Sequence, residues 1–343
     1  PTRASSLDWM ASLTFSPLQA AMGGAFLGTA SGLLMLFSGK IAGNSGALKS
    51  LVLGEFDVSK TAFLGGLLAA GAFFVRVMPS AFEAAPAPSL GLFAGGVATG
   101  LGTALANGCT SGHGLCGCAR LSPRSFVAVP IFMFFAAFTT NVRAGTFKLG
   151  EFAPLTQPAE GSVSLAAMLA AVFLATLPLV FMLTTKDSHA REAAVGAWVG
   201  LSFGTGLSLG GMSKASVVTS AFSLSTPNLT LWVLFFSGLT ATFLIYRVAE
   251  HYMKVPQAIA PSGGRIDARL MVGSAIFGIG WGATGFCPGP LLVNLGATPM
   301  EPTILLTLAG IVTGILSSNL YGQALDTIMN MATGQKSQGA VKC

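Results

Sequence analysis

The stretch GLGTALANGCTSGHGLCGC at residues 100–118 has a shorter echo in the same chain, GIGWGATGFCPGP at residues 278–290. Cys109 falls on Cys287 at an offset of 178 (287 − 109), and the same offset carries Gly95 onto Gly273, Gly100 onto Gly278 and Gly102 onto Gly280. In each copy a glycine-flanked cysteine closes a run of small apolar residues. A duplicated chain that keeps one thiol at the same point of each half predicts a central, pseudo-symmetric site, the plan on which many membrane transporters are built.

Composition sets this site in a membrane. Hydrophobic residues make up 52% of the 343 and charged residues only 9%, where soluble domains average roughly 25% charged. Mean hydropathy is +0.72, so no soluble domain of useful size is expected. The 44 glycines suit helices that approach closely in lipid. The five cysteines, Cys109, Cys116, Cys118, Cys287 and Cys343, are odd in number and irregular in spacing, which argues against a disulfide framework. The chain begins at Pro1 without methionine, so an upstream segment is expected; Pro1–Met10 lacks the apolar core of a signal peptide.

A spanning helix needs about 20 mostly apolar residues. Nine such segments lie near 18–38, 61–78, 89–107, 123–142, 163–185, 193–210, 228–246, 267–285 and 302–321. Four shorter Gly/Ser-rich pieces, 39–54, 108–120, 211–224 and 286–298, are too short to cross and too apolar for ordinary loops. They read as re-entrant segments, tolerated at membrane depth only where protein or water covers their backbone. The repeat extends to them: FLGTASG (26–32) resembles FGTGLSL (203–209), and the lysine-containing SGKIAGNSG (38–46) and GGMSKASVV (210–218) follow. The fold predicted is an all-α polytopic membrane protein with a first repeat over 18–142, a linking transmembrane helix over 163–185 and a second repeat over 193–321. Four helices plus one linker turn the second repeat upside down, giving inverted repeats whose re-entrant segments meet centrally. With nine spans, thirteen of the 18 Lys and Arg fall on the C-terminal side, and only Arg3, Arg76, Arg143, Lys148 and Lys214 on the other. That bias predicts a cytoplasmic C-terminus and an external N-terminus in a plasma (inner) membrane.

Cys109 and Cys287 lead the candidate residues. A thiol is a small apolar group with a weak donor, able to contact a soft sulfur atom without holding it tightly, or to attack a sulfane sulfur as thiolate. Pro288 and Pro290 break the second-copy helix after Cys287, and Thr110, Ser111 and Gly112 do the equivalent in the first. N–H groups freed at such breaks favour anions. Lys40 and Lys214 sit at the other pair of breaks, either adding positive potential or snorkelling to headgroups. Asn44, Ser45 and Asn294 are further lining donors. Cys109, His113, Cys116 and Cys118 spell C-x3-H-x2-C-x-C, yet this is not a usual zinc spacing and the second half has no counterpart. His113 is therefore read as a lining residue or hydrogen-bond partner, and neither metal nor cofactor is expected. No span carries an acidic pair and no P-loop is present, so neither a carboxylate proton relay nor ATP hydrolysis is expected. The chain reads as a transporter rather than an enzyme, with no nucleic-acid partner.

GCTSGHGLCG (108–117), ARLSPRS (119–125) and FCPGP (286–290), with SGKIAGNSG, resemble the YeeE/YedE sulfur-transport family over about residues 20–325. The chain looks like a fusion of two half-proteins that some bacteria encode separately. The resemblance implies an hourglass of inverted repeats and uptake of thiosulfate or a related sulfur anion through a cysteine-lined constriction. It implies that the essential cysteines pass the substrate by S–H···S contacts, with Cys109 and Cys287 at the matching positions. Some members use a third cysteine near the first re-entrant region. This chain has none before Cys109, so either Cys116 substitutes or two thiols suffice. The rival expectations are a membrane thiol enzyme or sulfur carrier bearing a cysteine persulfide, and a transporter of sulfite or a selenium compound. A soluble sulfur-transfer protein docking on the basic cytoplasmic loops is the partner left open.

Overall fold

The structure, a computed structural model, describes residues 17–145, 187–224, 227–253 and 266–333. Every regular element among them is helical. The first half contains α1 (Pro17–Ser38), α2 (Asn44–Val52), α3 (Val58–Val77), α4 (Leu90–Ala106), a π-helical segment (Thr110–Gly117) and α5 (Pro123–Arg143). The second contains α6 (Ser188–Leu209), α7 (Ala215–Ser220), α8 (Thr230–Met253), α9 (Ala268–Thr284), α10 (Pro288–Ala297) and α11 (Pro302–Thr333). Each half thus runs long, short, long, long, short, long, and the four short pieces fall where the sequence places re-entrant segments. The 163–185 segment lies outside the described residues.

Local signals start the helices. Asp57, Ser89, Asp187 and Asp267 cap α3, α4, α6 and α9 by accepting from backbone N–H groups of the first turn. Pro123 and Pro288 open α5 and α10 at positions where a missing N–H costs nothing. Three helices outrun the sequence expectation, each where polar residues at a helix end find partners. α6 begins at Ser188, capped by Asp187. α8 reaches Met253, its last turns carrying the Arg247–Glu250 pair. α11 reaches Thr333, and its Asp326 accepts from Arg269 of α9.

Among the described residues, six helical stretches are long and apolar enough to cross a membrane, or seven if α4 and the π segment, bent by 41°, count as one span. α6 falls outside that set because its first turn holds His189, Arg191 and Glu192, although its remaining turns are among the most buried in the molecule. The outer surface is apolar: Phe134 and Phe138 on α5, Phe236 and Leu244 on α8, and Leu316 and Leu320 on α11 are all exposed. Serines, threonines and asparagines are buried instead, as expected of a protein solvated by lipid.

Packing repeats with the halves exchanged. α3 lies along α6 as α8 lies along α1, and α4 lies along α11 as α9 lies along α5. α1 against α6 and α4 against α9 pair each helix with its counterpart in the other half. The duplicated glycines make the second of these possible. A Cβ on Gly102 would sit 2.2 Å from the Phe277 nitrogen, and one on Gly280 would sit 2.5 Å from the Thr99 nitrogen. The α4 and α9 backbones therefore touch, which brings the two helix breaks that follow them to the centre.

Candidate functional site

The breaks after α4 and α9 have the same construction. Asn107 and Gly285, again 178 apart, end the two helices in the left-handed region, with φ of 56° and 74°. Their N–H groups return to Thr103 and Trp281. Cys109 and Cys287 follow in extended conformation. Their carbonyls accept from His113 N at 2.8 Å and Leu291 N at 3.1 Å, which starts the π segment and α10. Each cysteine is thus the cap of a short helix directed back into the protein, and both are buried and free of disulfides.

Polar contacts join the two thiols to both halves. Thr110 Oγ1 lies 3.3 Å from Cys287 Sγ, a bond that crosses between the halves. Cys109 Sγ lies 3.2 Å from Ser111 Oγ, and Ser111 Oγ accepts from Asn44 N at 3.3 Å. Gly289 leaves room for the Asn44 side chain, since a Cβ there would meet Asn44 Nδ2 at 2.2 Å. The leading ends of α2, the π segment and α10 therefore meet at one closed point, with a thiol from each half on either side of Thr110.

Different chemistry lies on the two sides of this constriction. One is a cavity of about 40 Å³, room for a few waters at about 10–15 Å³ each. Cys287, Thr110, Ser111 and Asn44 form its floor, and Met133, Met212, Phe222, Trp232 and Trp281 are among its walls; no charged side chain lines it among the described residues. Phe277 stacks on Trp281 and the Phe132 and Phe222 edges meet it, which fixes the indole. The other is a vestibule of about 500 Å³ bordered by Lys40, Lys60, Arg120 and Arg124, with Asp57 its single acidic residue among those described. Gly43, Gly108 and Gly112 border the vestibule while Asn44, Thr110 and Ser111 border the cavity. The partition is one residue thick.

The remaining sequence candidates are spread around this point. Pro288 is buried at the first position of α10. Lys40 follows α1 at the vestibule, paired to Asp57 at 3.3 Å and Glu192 at 3.5 Å. Lys214 caps α7. His113 uses both ring nitrogens: Nε2 donates to Ala106 O at 3.1 Å, and Nδ1, 3.1 Å from Ser125 Oγ, accepts from that hydroxyl. It pins the π segment to α4 and α5 and has no lone pair left for a metal. Cys116 Sγ donates to Ala42 O at 3.4 Å and borders neither cavity nor vestibule. The sequence reading missed the aromatic and methionine walls and the role of Arg120 and Arg124. Only Trp281, inside the duplicated stretch, carried any signal.

The fold and the site define a polytopic helical integral membrane protein with a closed, thiol-flanked constriction between two unlike cavities. Residues 193–328, the second half, match a family described as of unknown function, DUF6691. Two relatives from Xylella fastidiosa, strains Temecula1 and 9a5c, both bear the name "Probable transporter"; each is 40% identical over 115 residues, covering 33% of this chain and 84% of the relative. Another from strain 9a5c with the same name is 36% identical over 115 residues, 32% of this chain and 78% of the relative. The chain belongs to the family of these transporters, and it is a membrane transporter.

Proposed function

We propose that the protein carries thiosulfate, or a closely related sulfur-containing anion, through the constriction between Cys109 and Cys287. The observation that carries this reading is the Thr110 Oγ1 to Cys287 Sγ contact, which joins the second-half thiol to the first half at the floor of an uncharged cavity, next to Ser111 and its Cys109 contact. A soft, polarisable sulfur atom suits such a cavity better than a strongly hydrated oxyanion. Thiols and methionine thioethers can contact it through weak S–H donors and dispersion, while the Thr110 and Ser111 hydroxyls serve the oxygen end. The vestibule cations favour an anion on the far side of the partition.

The two halves act as inverted repeats, with 163–185 as the linking span, and the excess of Lys and Arg sets the vestibule toward the cytoplasm. Relatives shorter than half this chain fit a fused pair of half-proteins. Import then runs from the cavity, past the two thiols, into the vestibule. Moving one charge against 100 mV costs about 2.3 kcal/mol, so net uptake of a dianion needs an inward gradient, a coupled cation or rapid consumption inside. The sulfur-carrier alternative is disfavoured by burial. Cys109 is 0% and Cys287 2% exposed, beyond the reach of a soluble donor protein.

The test is uptake of thiosulfate labelled on its sulfane sulfur by proteoliposomes, with wild type beside Cys109→Ala and Cys287→Ala. Internal label lost in both variants supports the reading. Label held on the protein instead of inside would replace it with the covalent carrier, and competition by sulfite or selenium analogues at equal concentration would widen the substrate.

A further inference from the structure

We propose that Cys116 is a positioning residue, the clasp that holds the α2 lead against the constriction, and that Asn294 does the same for α7 in the other half. The inference deepens the transport reading above and rests on it. Cys116 and Asn294 are related by the offset of 178 that relates Cys109 to Cys287, and their bonds correspond. Cys116 Sγ donates to Ala42 O at 3.4 Å, and Asn294 Nδ2 donates to Ser213 O at 2.9 Å. Ala42 and Ser213 are in turn equivalent: each immediately precedes the cap of a short helix, Gly43 for α2 and Lys214 for α7. In both halves, then, one side chain of the segment after the central cysteine holds the carbonyl that leads into a short helix.

The clasp bears on the constriction through very few atoms. Two residues beyond Ala42, Asn44 N donates to Ser111 Oγ, and that hydroxyl touches Cys109 Sγ. Releasing Ala42 O frees the lead into α2 that carries Asn44, and with it one wall of the closed point. Cys116 itself is 0% exposed and is flanked by the hydroxyls of Ser31 and Tyr246. Its sulfur is thus held on a backbone carbonyl ahead of a short helix, whereas Cys109 and Cys287 touch the Ser111 and Thr110 hydroxyls at the constriction.

The experiment compares Cys116→Ser, Cys116→Ala and Asn294→Ala with wild type in the reconstituted full chain. It reads the alkylation rate of Cys109 and Cys287 by a small maleimide, resolved by peptide mass spectrometry, alongside thiosulfate uptake. A serine hydroxyl donates to Ala42 O at least as well as a thiol, so Cys116→Ser is expected to keep uptake and Cys109 labelling near wild type. Cys116→Ala is expected to raise Cys109 labelling roughly three- to tenfold, and Asn294→Ala to raise Cys287 labelling at least as much, the scale of one lost hydrogen bond. Loss of uptake in Cys116→Ser with Cys109 labelling unchanged would make Cys116 a pathway thiol and overturn the proposal. So would unchanged labelling in Cys116→Ala. Should the alanine variant not fold, the serine and Asn294 arms decide alone. Should wild type take up no thiosulfate, the substrate reading fails while the labelling ratios still judge the clasp.

Discussion

Thr110 does at the centre what neither cysteine can do alone: its hydroxyl bridges the first half to the thiol of the second. Thr110→Val keeps the shape and removes the bridge, leaving Cys287 Sγ without that partner. Uptake is expected to fall roughly three- to tenfold at equal expression, while Thr110→Ser retains it; equal initial rates for the valine and serine variants would sink this role. The cysteines were legible in the sequence because repetition marks them, whereas the Thr110 contact spans 177 positions and no local pattern announces it. His113 was legible only as a polar residue. Its exclusion from metal chemistry comes from Ala106 and Ser125, both on neighbouring helices. At the vestibule rim, burial works against the Asp57 carboxylate, yet the Lys60 N–H and the Lys40 ammonium outweigh it and hold the group below its ordinary value of 3.8. A lowered carboxylate pKa contributes stability that is complete above 3.8 and is lost as pH falls through the folded-state value. Asp57→Asn keeps the helix cap and removes the charge. It is expected to cost less than about 1 kcal/mol at neutral pH and to flatten the acid limb of a thermal-melt series in detergent; an unchanged acid limb would assign acid lability elsewhere.

Helix against helix, the decisive contacts are those of α4 and α9. Gly95, Gly100 and Gly102 and their equivalents were visible as a repeat, but the sequence does not say which face each one serves. Gly102 and Gly280 lie between α4 and α9, whereas a Cβ on Gly100 would meet Ile311 O of α11 and one on Gly278 would meet Phe132 O of α5. One glycine ladder thus serves both the α4–α9 contact and the flanking one. Gly102→Leu is expected to abolish recovery of monodisperse protein in detergent, because the clash is with backbone at 2.2 Å and no rotamer relieves it. Gly65→Ala in α3, with nothing within 4 Å of the added carbon, is the matched control and is expected to stabilise by about 0.5–1 kcal/mol. Normal size-exclusion behaviour for Gly102→Leu would mean that the two helices do not need this approach. Helix ends were less legible than helix cores, since the ends of α6, α8 and α11 depend on polar partners, one of them more than fifty residues away.

Across the whole molecule, a pseudo-symmetric frame carries unsymmetrical chemistry. The frame follows from the repeat and so could be read in the chain. The cavities could not, because each is assembled from side chains of segments far apart: Met133, Met212 and Trp281 on one side, Lys40, Lys60 and Arg120 on the other. The asymmetry has a kinetic consequence. An anion approaching the vestibule meets a positive potential that raises its local concentration, and added salt screens that potential as the Debye length shrinks from about 10 Å at 0.1 M to about 3 Å at 1 M. An anion approaching the uncharged cavity meets no such field. In proteoliposomes of defined sidedness, KM measured from the vestibule side is therefore expected to rise roughly threefold or more over that range of inert salt, while KM from the cavity side stays nearly constant. Replacing Lys60 and Arg124 by glutamine should bring the vestibule-side KM at low salt up to its high-salt value and remove most of the dependence. An equal response to salt from both sides would mean that the vestibule cations serve the fold and do not recruit substrate.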